Sequence, residues 1–334
     1  MTPVRRFKEG SIPTMTDFWK DQAGIAQRLD QVRVEMRSVL RAERFPMAEA
    51  VDSLIDANGK MLRPAMLLMA ADFGRKKKNL IPLAAAVELL HIATLIHDDV
   101  IDEAATRRGV PALHTIHGTK AAVLAGDWLF SRCFRLAADN SSPGNARLLA
   151  GLVSAICSSE IHQDMDRFTW PESVRNYLRK IAGKTAMLFT LALRAGAQEA
   201  GASMSTLRTL TRIGYDTGLA FQIMDDVLDF ESSEGTMRKP VGKDVCEGLC
   251  TLPLILSLRV DGAAIRPLLN SCKPDDETVR TLVDHVRNSG SIDAARAYAA
   301  RYTNRALTEL TRLPKGHARD NLEILLKKLL IRTF

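Results

Sequence analysis

Asp98, Asp99 and Asp102 fall within "LIHDDVIDEAATRRG" (95–109), and Asp225, Asp226 and Asp229 within "FQIMDDVLDF" (221–230). Both runs have the spacing D-D-x-x-D, and both interrupt apolar sequence. On a helix, positions i and i+4 share a face, so Asp98 projects with Asp102 and Asp225 with Asp229. Two such clusters facing each other make an acidic cage. Carboxylates cannot share a dry cavity unless cations compensate them. Hard oxygens gathered in one place suit Mg²⁺, which keeps waters and completes its shell with substrate phosphate oxygens. The aspartates therefore predict several Mg²⁺ ions and a phosphorylated ligand. A single D-D-x-x-D would read equally well as a solvated helix end. Two copies, each led in by apolar residues, do not.

Basic residues supply candidates for the phosphate side. "GKMLRP" (59–64) puts Lys60 and Arg63 three apart at a helix start, where backbone N–H groups attract anions. The same six residues also read as Gly and Pro punctuation with two solvated cations. Arg107 and Arg108 follow the first acidic cluster, and guanidinium forks suit diphosphate oxygens. "GKT" contributes Lys184, and "RKPVGKD" contributes Lys239 and Lys243 in a Gly/Pro loop after the second cluster. His91 lies two helical turns before Asp98 on the same face. A lone histidine on an apolar helix also serves as a satisfied core residue.

The elements that must position these groups read as helices. Apolar residues recur at i, i+3 and i+4 over 16–43, 46–56, 60–74, 79–103, 118–138, 144–168, 171–200, 204–232, 251–261, 276–288, 291–312 and 315–331. Strand-like alternation is nearly absent, and aromatics make up only 5%. With 334 residues, 46% of them hydrophobic, and only short Pro/Gly/Ser punctuation, the expectation is an all-α fold. It is read as one domain over 1–334, a large helical bundle around a central apolar cavity. The segments 79–103 and 204–232 are apolar nearly all round, which places them mid-bundle. "LIHDDVID" and "QIMDDVLD" also align with each other, a weak internal symmetry.

The charge balance excludes little. Lys and Arg number 46 against 39 Asp and Glu, a net +7. The excess is scattered, so the reading is phosphorylated small molecules and no nucleic acid. The five cysteines are irregularly spaced and offer no zinc pattern. The first residues lack an apolar signal core, and the apolar runs are read as too short or interrupted to span a bilayer. A cytoplasmic setting follows, with at most peripheral membrane contact for product release.

At this point the sequence resembles the trans-isoprenyl diphosphate synthases, the polyprenyl synthetase family. The resemblance rests on "GKMLRP", "ELLHIATLIHDDVIDEAATRRG", "AGDWLF", "YLRKIAGKTAMLF", "FQIMDDVLDF" and "KPVGKDVCEGLCTLPLI", in the family's order over residues 59–257. The tail "LPKGHARDNLEILLKKLLIRTF" resembles the long-chain subgroup, which includes heptaprenyl and octaprenyl synthase catalytic chains. The resemblance implies direct Mg²⁺ binding by Asp98, Asp102 and Asp225, with Asp99, Asp226 and Asp229 in support. It implies contacts from Arg107, Lys184 and Lys239 to an allylic diphosphate. Lys60, Arg63, His91 and Arg108 match the isopentenyl diphosphate site, and Thr185 and Gln222 lie near the allylic group. Two positions depart from the pattern: Asn58 replaces a common glycine, and Leu249 stands where many members have lysine, with Lys243 a possible substitute.

The implied reaction is head-to-tail 1′–4 condensation of an allylic diphosphate with successive isopentenyl diphosphates. Product length should follow from a tunnel below the first cluster. Ala93 and Thr94, five and four residues before Asp98, are small where short-chain members often carry an aromatic. Leu90, Val87 and Ala86 lie deeper on that face, and Phe130, Cys133 and Phe134 are candidates for its wall or floor. This points to a hexa- to decaprenyl product. The alternatives are a short-chain geranylgeranyl or farnesyl diphosphate synthase, a class I terpene cyclase, and a non-catalytic partner subunit. A cyclase would need no second diphosphate site, and a non-catalytic subunit would lack the aspartates. Expected partners are the two diphosphates and a second copy in a homodimer, or a small subunit in a heteromer.

Overall fold

The computed structural model describes residues 18–42, 47–57, 59–107, 110–231, 242–269 and 273–330. In chain order these form α1 (Ala23–Ala42), α2 (Ala48–Ala57), α3 (Leu62–Ala71), α4 (Ile81–Ile101), strands β1 (Thr106–Arg107) and β2 (Val110–Pro111), α5 (Leu113–His117), α6 (Thr119–Asn140) and α7 (Pro143–Met165). Then come α8 (Val174–Ile181), a π turn (Ala182–Ala186), α9 (Met187–Glu199), α10 (Met204–Glu231), α11 (Lys243–Cys246), α12 (Leu252–Ile265), α13 (Asp276–Asn288), α14 (Ser291–Leu310) and α15 (His317–Leu330). The all-α expectation holds. The two-residue antiparallel ladder β1–β2 is the only sheet among the described residues.

Local chemistry sets the helix ends. Pro82 in the first turn of α4 needs no N–H partner there. Ser203 accepts the N–H of Thr206 at 3.1 Å to start α10, and Asp275 accepts that of Thr278 at 2.8 Å to start α13. The stretch expected as one helix over 171–200 is broken into α8, the π turn and α9. Gly183 in the π turn lies so close to α7 that a Cβ there would fall 2.0 Å from Ser159 Oγ. A widened turn at this contact changes the aim of the side chains that follow it.

Two apolar clusters fill the interior. One gathers side chains from α1–α4, α6, α7, α9 and α15, including Trp19, Leu67, Leu89 and Phe189. The other gathers α8, α12, α13 and α14 around Ile223, Val227 and Phe230. Helix α10 runs through both, with Leu210 and Ile213 in the first cluster and Leu219 and Ile223 in the second. It approaches the π turn closely through Gly218, where a Cβ would meet Ala186 Cα at 2.4 Å.

Helix α4 corrects one expectation. Its 21 residues are long and apolar enough, by length and composition, to cross a membrane. The fold instead buries Leu83, Leu89, Leu90 and Ile92 inside the protein, as in a core helix.

Candidate metal and diphosphate site

Both acidic motifs sit at the C-terminal ends of the central helices. Asp102 caps α4, its N–H donating to the Asp98 carbonyl at 2.8 Å. Asp225, Asp226 and Asp229 occupy the last two turns of α10. A helix C-terminus carries partial negative charge and favours cations, so aspartates are in the wrong place by local preference. Something positive must be supplied from elsewhere.

Around the first motif the supply is ionic. The β1–β2 ladder folds the chain back so that Arg107 Nε lies 2.6 Å from the buried Asp99 carboxylate. Arg167, in the segment after α7, lies 2.6 Å from Asp102 and also donates to the Glu247 carbonyl at 3.4 Å. Lys184 pairs with Glu160 of α7 at 3.0 Å. Burial pushes Asp98 up to about 6, with Lys184 and Arg107 opposing the shift and Glu160 and Asp102 adding to it. Burial also raises Asp99, against the pull of Arg107. Burial alone would lower Lys184, but Asp98 and Glu160 hold it above its ordinary value.

Around the second motif the described donors to Asp226 are neutral. The Tyr177 hydroxyl donates to it at 2.6 Å and the Gln222 amide at 2.8 Å. Thr185 donates to the Gln222 carbonyl oxygen at 2.7 Å, which fixes the direction of that amide. Asp229 accepts the backbone N–H of Asp244 at 3.2 Å. Burial pushes Asp226 up to about 7, its two hydrogen bonds opposing and Asp225 and Asp229 reinforcing. Burial, with Asp229, Asp226 and Asp225 nearby, drives Asp244 well above the usual carboxylate range.

Two short segments bridge the motifs. In the π turn, consecutive residues divide the work: the Lys184 charge acts on Asp98, while Thr185 reaches Asp226 through Gln222. In α11 the charge of Lys243 acts on Asp99, and its neighbour Asp244 bonds Asp229. Lys243 itself pairs with Glu247 at 2.9 Å. Burial would lower it, but Glu247, Asp102 and Asp244 keep it raised.

A divalent ion fits these residues. Among the described residues no three His, Cys, Asp or Glu side chains gather closely enough to hold a metal as a set. The site instead offers surplus carboxylates, raised by burial and by each other, on two helix ends linked through the π turn and α11. That suits an ion taking one or two carboxylates and filling its shell with water and phosphate.

The remaining sequence candidates are spread around this centre. Arg63, in the first turn of α3, lies 5.1 Å over the Phe189 ring, and Phe189 packs 5.6 Å from Phe221, which precedes Gln222. Lys60 lies 4.9 Å over Phe18, and its carbonyl accepts from Trp19 at 2.8 Å. His91 is buried on α4, its carbonyl accepting from Thr94 at 2.8 Å. Ala93 is fully buried, as are Ala86, Val87, Leu90 and Cys133, while Phe130 packs against the same cluster. Phe134 keeps 38% exposure, so it belongs to the outer face and not to an interior wall. Arg108, Lys239 and Asn58 lie outside the described residues. Sequence reasoning missed Tyr177, Glu160, Arg167 and Asp244. Each reaches the site from a distant element, and no spacing marks them out.

The chain is similar to known proteins over most of its length. The polyprenyl synthetase family profile matches residues 46–287. The chain is 31% identical over 307 residues to heptaprenyl diphosphate synthase component 2 of Bacillus subtilis, covering 92% of this chain and 88% of that one. It superposes on the crystal structure of geranylgeranyl pyrophosphate synthase from Lactobacillus brevis with a TM-score of 0.88 and 33% identity, covering 94% and 99% of the two chains. For a polyprenyl synthase from Caulobacter crescentus complexed with calcium and isoprenyl diphosphate, the TM-score is 0.83 and the identity 33%, over 98% and 100%.

Proposed function

Because the chain belongs to the polyprenyl synthetase family, we propose that it is a trans-polyprenyl diphosphate synthase that condenses an allylic diphosphate with successive isopentenyl diphosphates. The observation that carries this reading is the π turn, which joins the two acidic helix ends through Lys184 and Thr185 beside a largely apolar core. Asp98, Asp102 and Asp225 would hold Mg²⁺, a reading supported by the Caulobacter relative, which is complexed with calcium and isoprenyl diphosphate. Bound Mg²⁺ would supply charge stabilisation to the departing diphosphate. Asp99 and Asp226 are too enclosed to serve as open ligands; they anchor Arg107, Tyr177 and Gln222. Asp229 supports the second motif by tethering α11 through Asp244.

Arg107, Lys184 and Lys239 neutralise charge on the allylic diphosphate as its C–O bond breaks, an electrostatic role that needs preorganised cations. Lys60, Arg63, His91 and Arg108 bind isopentenyl diphosphate, whose double bond attacks the allylic carbon. Thr185 and Gln222 face the allylic group. The released pyrophosphate takes the proton lost from the new chain. The apolar bundle keeps water from quenching the cation.

A long-chain product is the reading supported by the heptaprenyl relative and by Ala93 on the face below Asp98. Each added isoprene unit buries five carbons, worth roughly 4 kcal/mol at about 0.8 per carbon, so long products leave slowly. Ala93→Phe should shorten the product by several units, read by chromatography of the dephosphorylated chains. The whole chain acts as one domain, in the cytosol, with at most peripheral membrane contact. Exposed Val123, Leu124 and Phe134 of α6 and Ile161 and Met165 of α7 offer an apolar surface for a second copy. The Bacillus relative is called a component, which favours a small partner subunit as the second reading.

The deciding experiment incubates the purified chain alone with Mg²⁺, farnesyl diphosphate and labelled isopentenyl diphosphate. A C30–C50 end-point supports the proposal. A C15 or C20 stop overturns the long-chain part, and no product from folded protein points to a missing partner.

A further inference from the structure

Away from the acidic ends, α7, α9, α10 and α14 border a cleft of about 320 Å³. Tyr215 lines it, ten residues before Asp225 on α10, which is roughly 15 Å of helix rise from the second motif. Its floor is apolar, made by Leu148 and Leu152 of α7 with Met187 and Leu191 of α9. Thr190 and Thr211 also line it, but each donates its hydroxyl to the backbone one turn earlier, to the carbonyls of Ala186 and Leu207. The floor therefore suits a hydrocarbon better than a base or a sugar.

The rim is cationic. Arg194, Arg212 and Arg305 line the cleft against one carboxylate, Asp216. Two of these guanidinium groups are engaged. Arg305 lies 3.1 Å from the buried Asp216 and stacks 5.3 Å over Tyr302, and Arg212 reaches Glu309 at 3.5 Å. Arg194 differs. It is half-buried, and its Nε finds no acceptor among the described residues. The Arg194 side chain lines the cleft with none of the described carboxylates paired to it, so its charge attracts an incoming anion.

We propose that this cleft is a binding site for an amphipathic anion, with a carboxylate or phosphate monoester head on Arg194 and a hydrocarbon tail on the four apolar floor residues. At the roughly 30 Å³ that one water occupies in the liquid, the cleft holds about ten heavy atoms, a short or folded chain. Binding here is independent of the chemistry at the acidic ends.

The test uses full-length protein carrying ¹³C-methyl methionine, because Met187 lies in the floor. Its signal is assigned with Met187→Leu, and the acidic site is first filled with Mg²⁺ and inorganic pyrophosphate. Decanoate, decyl phosphate and decanol are then titrated. Both anions should shift the Met187 methyl saturably, with decanol about tenfold weaker. Arg194→Gln should weaken the anions about tenfold and leave decanol unchanged. Leu191→Trp should fill the cleft and abolish all three shifts while chain elongation continues. Tighter decyl phosphate binding identifies a phosphorylated lipid as the occupant, and tighter decanoate binding a fatty acid. No saturable Met187 shift, equal binding of decanol and the anions, or unchanged anion binding in Arg194→Gln would each overturn the assignment.

Discussion

The two acidic motifs have the same spacing, yet the fold treats their middle aspartates differently. Asp99 is buried against a guanidinium 2.6 Å away. Asp226 is buried against a phenol and an amide, both neutral donors. Arg107 opposes the burial that raises Asp99, whereas the described donors opposing it at Asp226 are neutral, and Asp226 is raised to about 7 from the ordinary 3.8. Among the described contacts, Arg167 pairs with Asp102, and Asp229 accepts the backbone N–H of Asp244. The middle aspartate of the first motif thus meets a charged donor and that of the second meets neutral ones. The contrast predicts that loss of the donor costs more at Asp99 than at Asp226.

The sharpest way to break the comparison is to remove one open carboxylate from each side. Asp98→Ala and Asp225→Ala should each lower kcat by roughly 10²–10³ or more, the scale of losing transition-state charge stabilisation. Single-turnover assays across a Mg²⁺ titration would check this, and half-saturating Mg²⁺ should rise in both variants. An unchanged Mg²⁺ requirement in either variant would remove that carboxylate from the metal site.

Next in size is Arg107→Gln, which leaves Asp99 buried and uncompensated. Such a loss costs about 3 kcal/mol in a buried pair, and somewhat less here because Arg107 is 26% exposed. Chemical denaturation should register it, together with a higher KM for the allylic diphosphate. Tyr177→Phe removes only a neutral donor, at about 1 kcal/mol. Its expected signature is a several-fold fall in activity with allylic KM nearly unchanged, measured by steady-state kinetics.

The smallest effect is a pH dependence. Asp98 and Asp226 bind their protons more tightly folded than unfolded, with values of about 6 and about 7 against 3.8. Their contribution to stability is complete below about pH 4 and is lost as pH rises through 6 and then 7. Metal-free protein should therefore melt a few degrees lower at pH 8 than at pH 5 from this cause. Asp226→Asn, which keeps an acceptor for Tyr177, should flatten the profile more than Asp98→Asn. Thermal melts in chelator would show it, and identical slopes in both variants and wild type would count against the neutral-donor reading.

The sequence by itself determined the all-α class, most helix spans, the two aspartate motifs and the basic residues that accompany them. Apolar periodicity and i, i+4 spacing are local properties, legible within one or two turns of chain. Asp98 and Asp102, or Asp225 and Asp229, could be paired because the members of each pair are four positions apart. Tertiary structure alone decided which cation meets which aspartate. Arg167 on Asp102 joins positions 65 residues apart, and Tyr177 on Asp226 joins positions 49 apart. No periodic pattern links them, because their meeting depends on how α7, α8 and α10 pack. The π turn is of the same kind. "AGKTA" continues a helical pattern on paper, and only the fold shows the widened turn packed against Ser159, with Lys184 and Thr185 serving opposite motifs. The proton affinities also belong to the fold, since they follow from burial and from charges brought in by other elements.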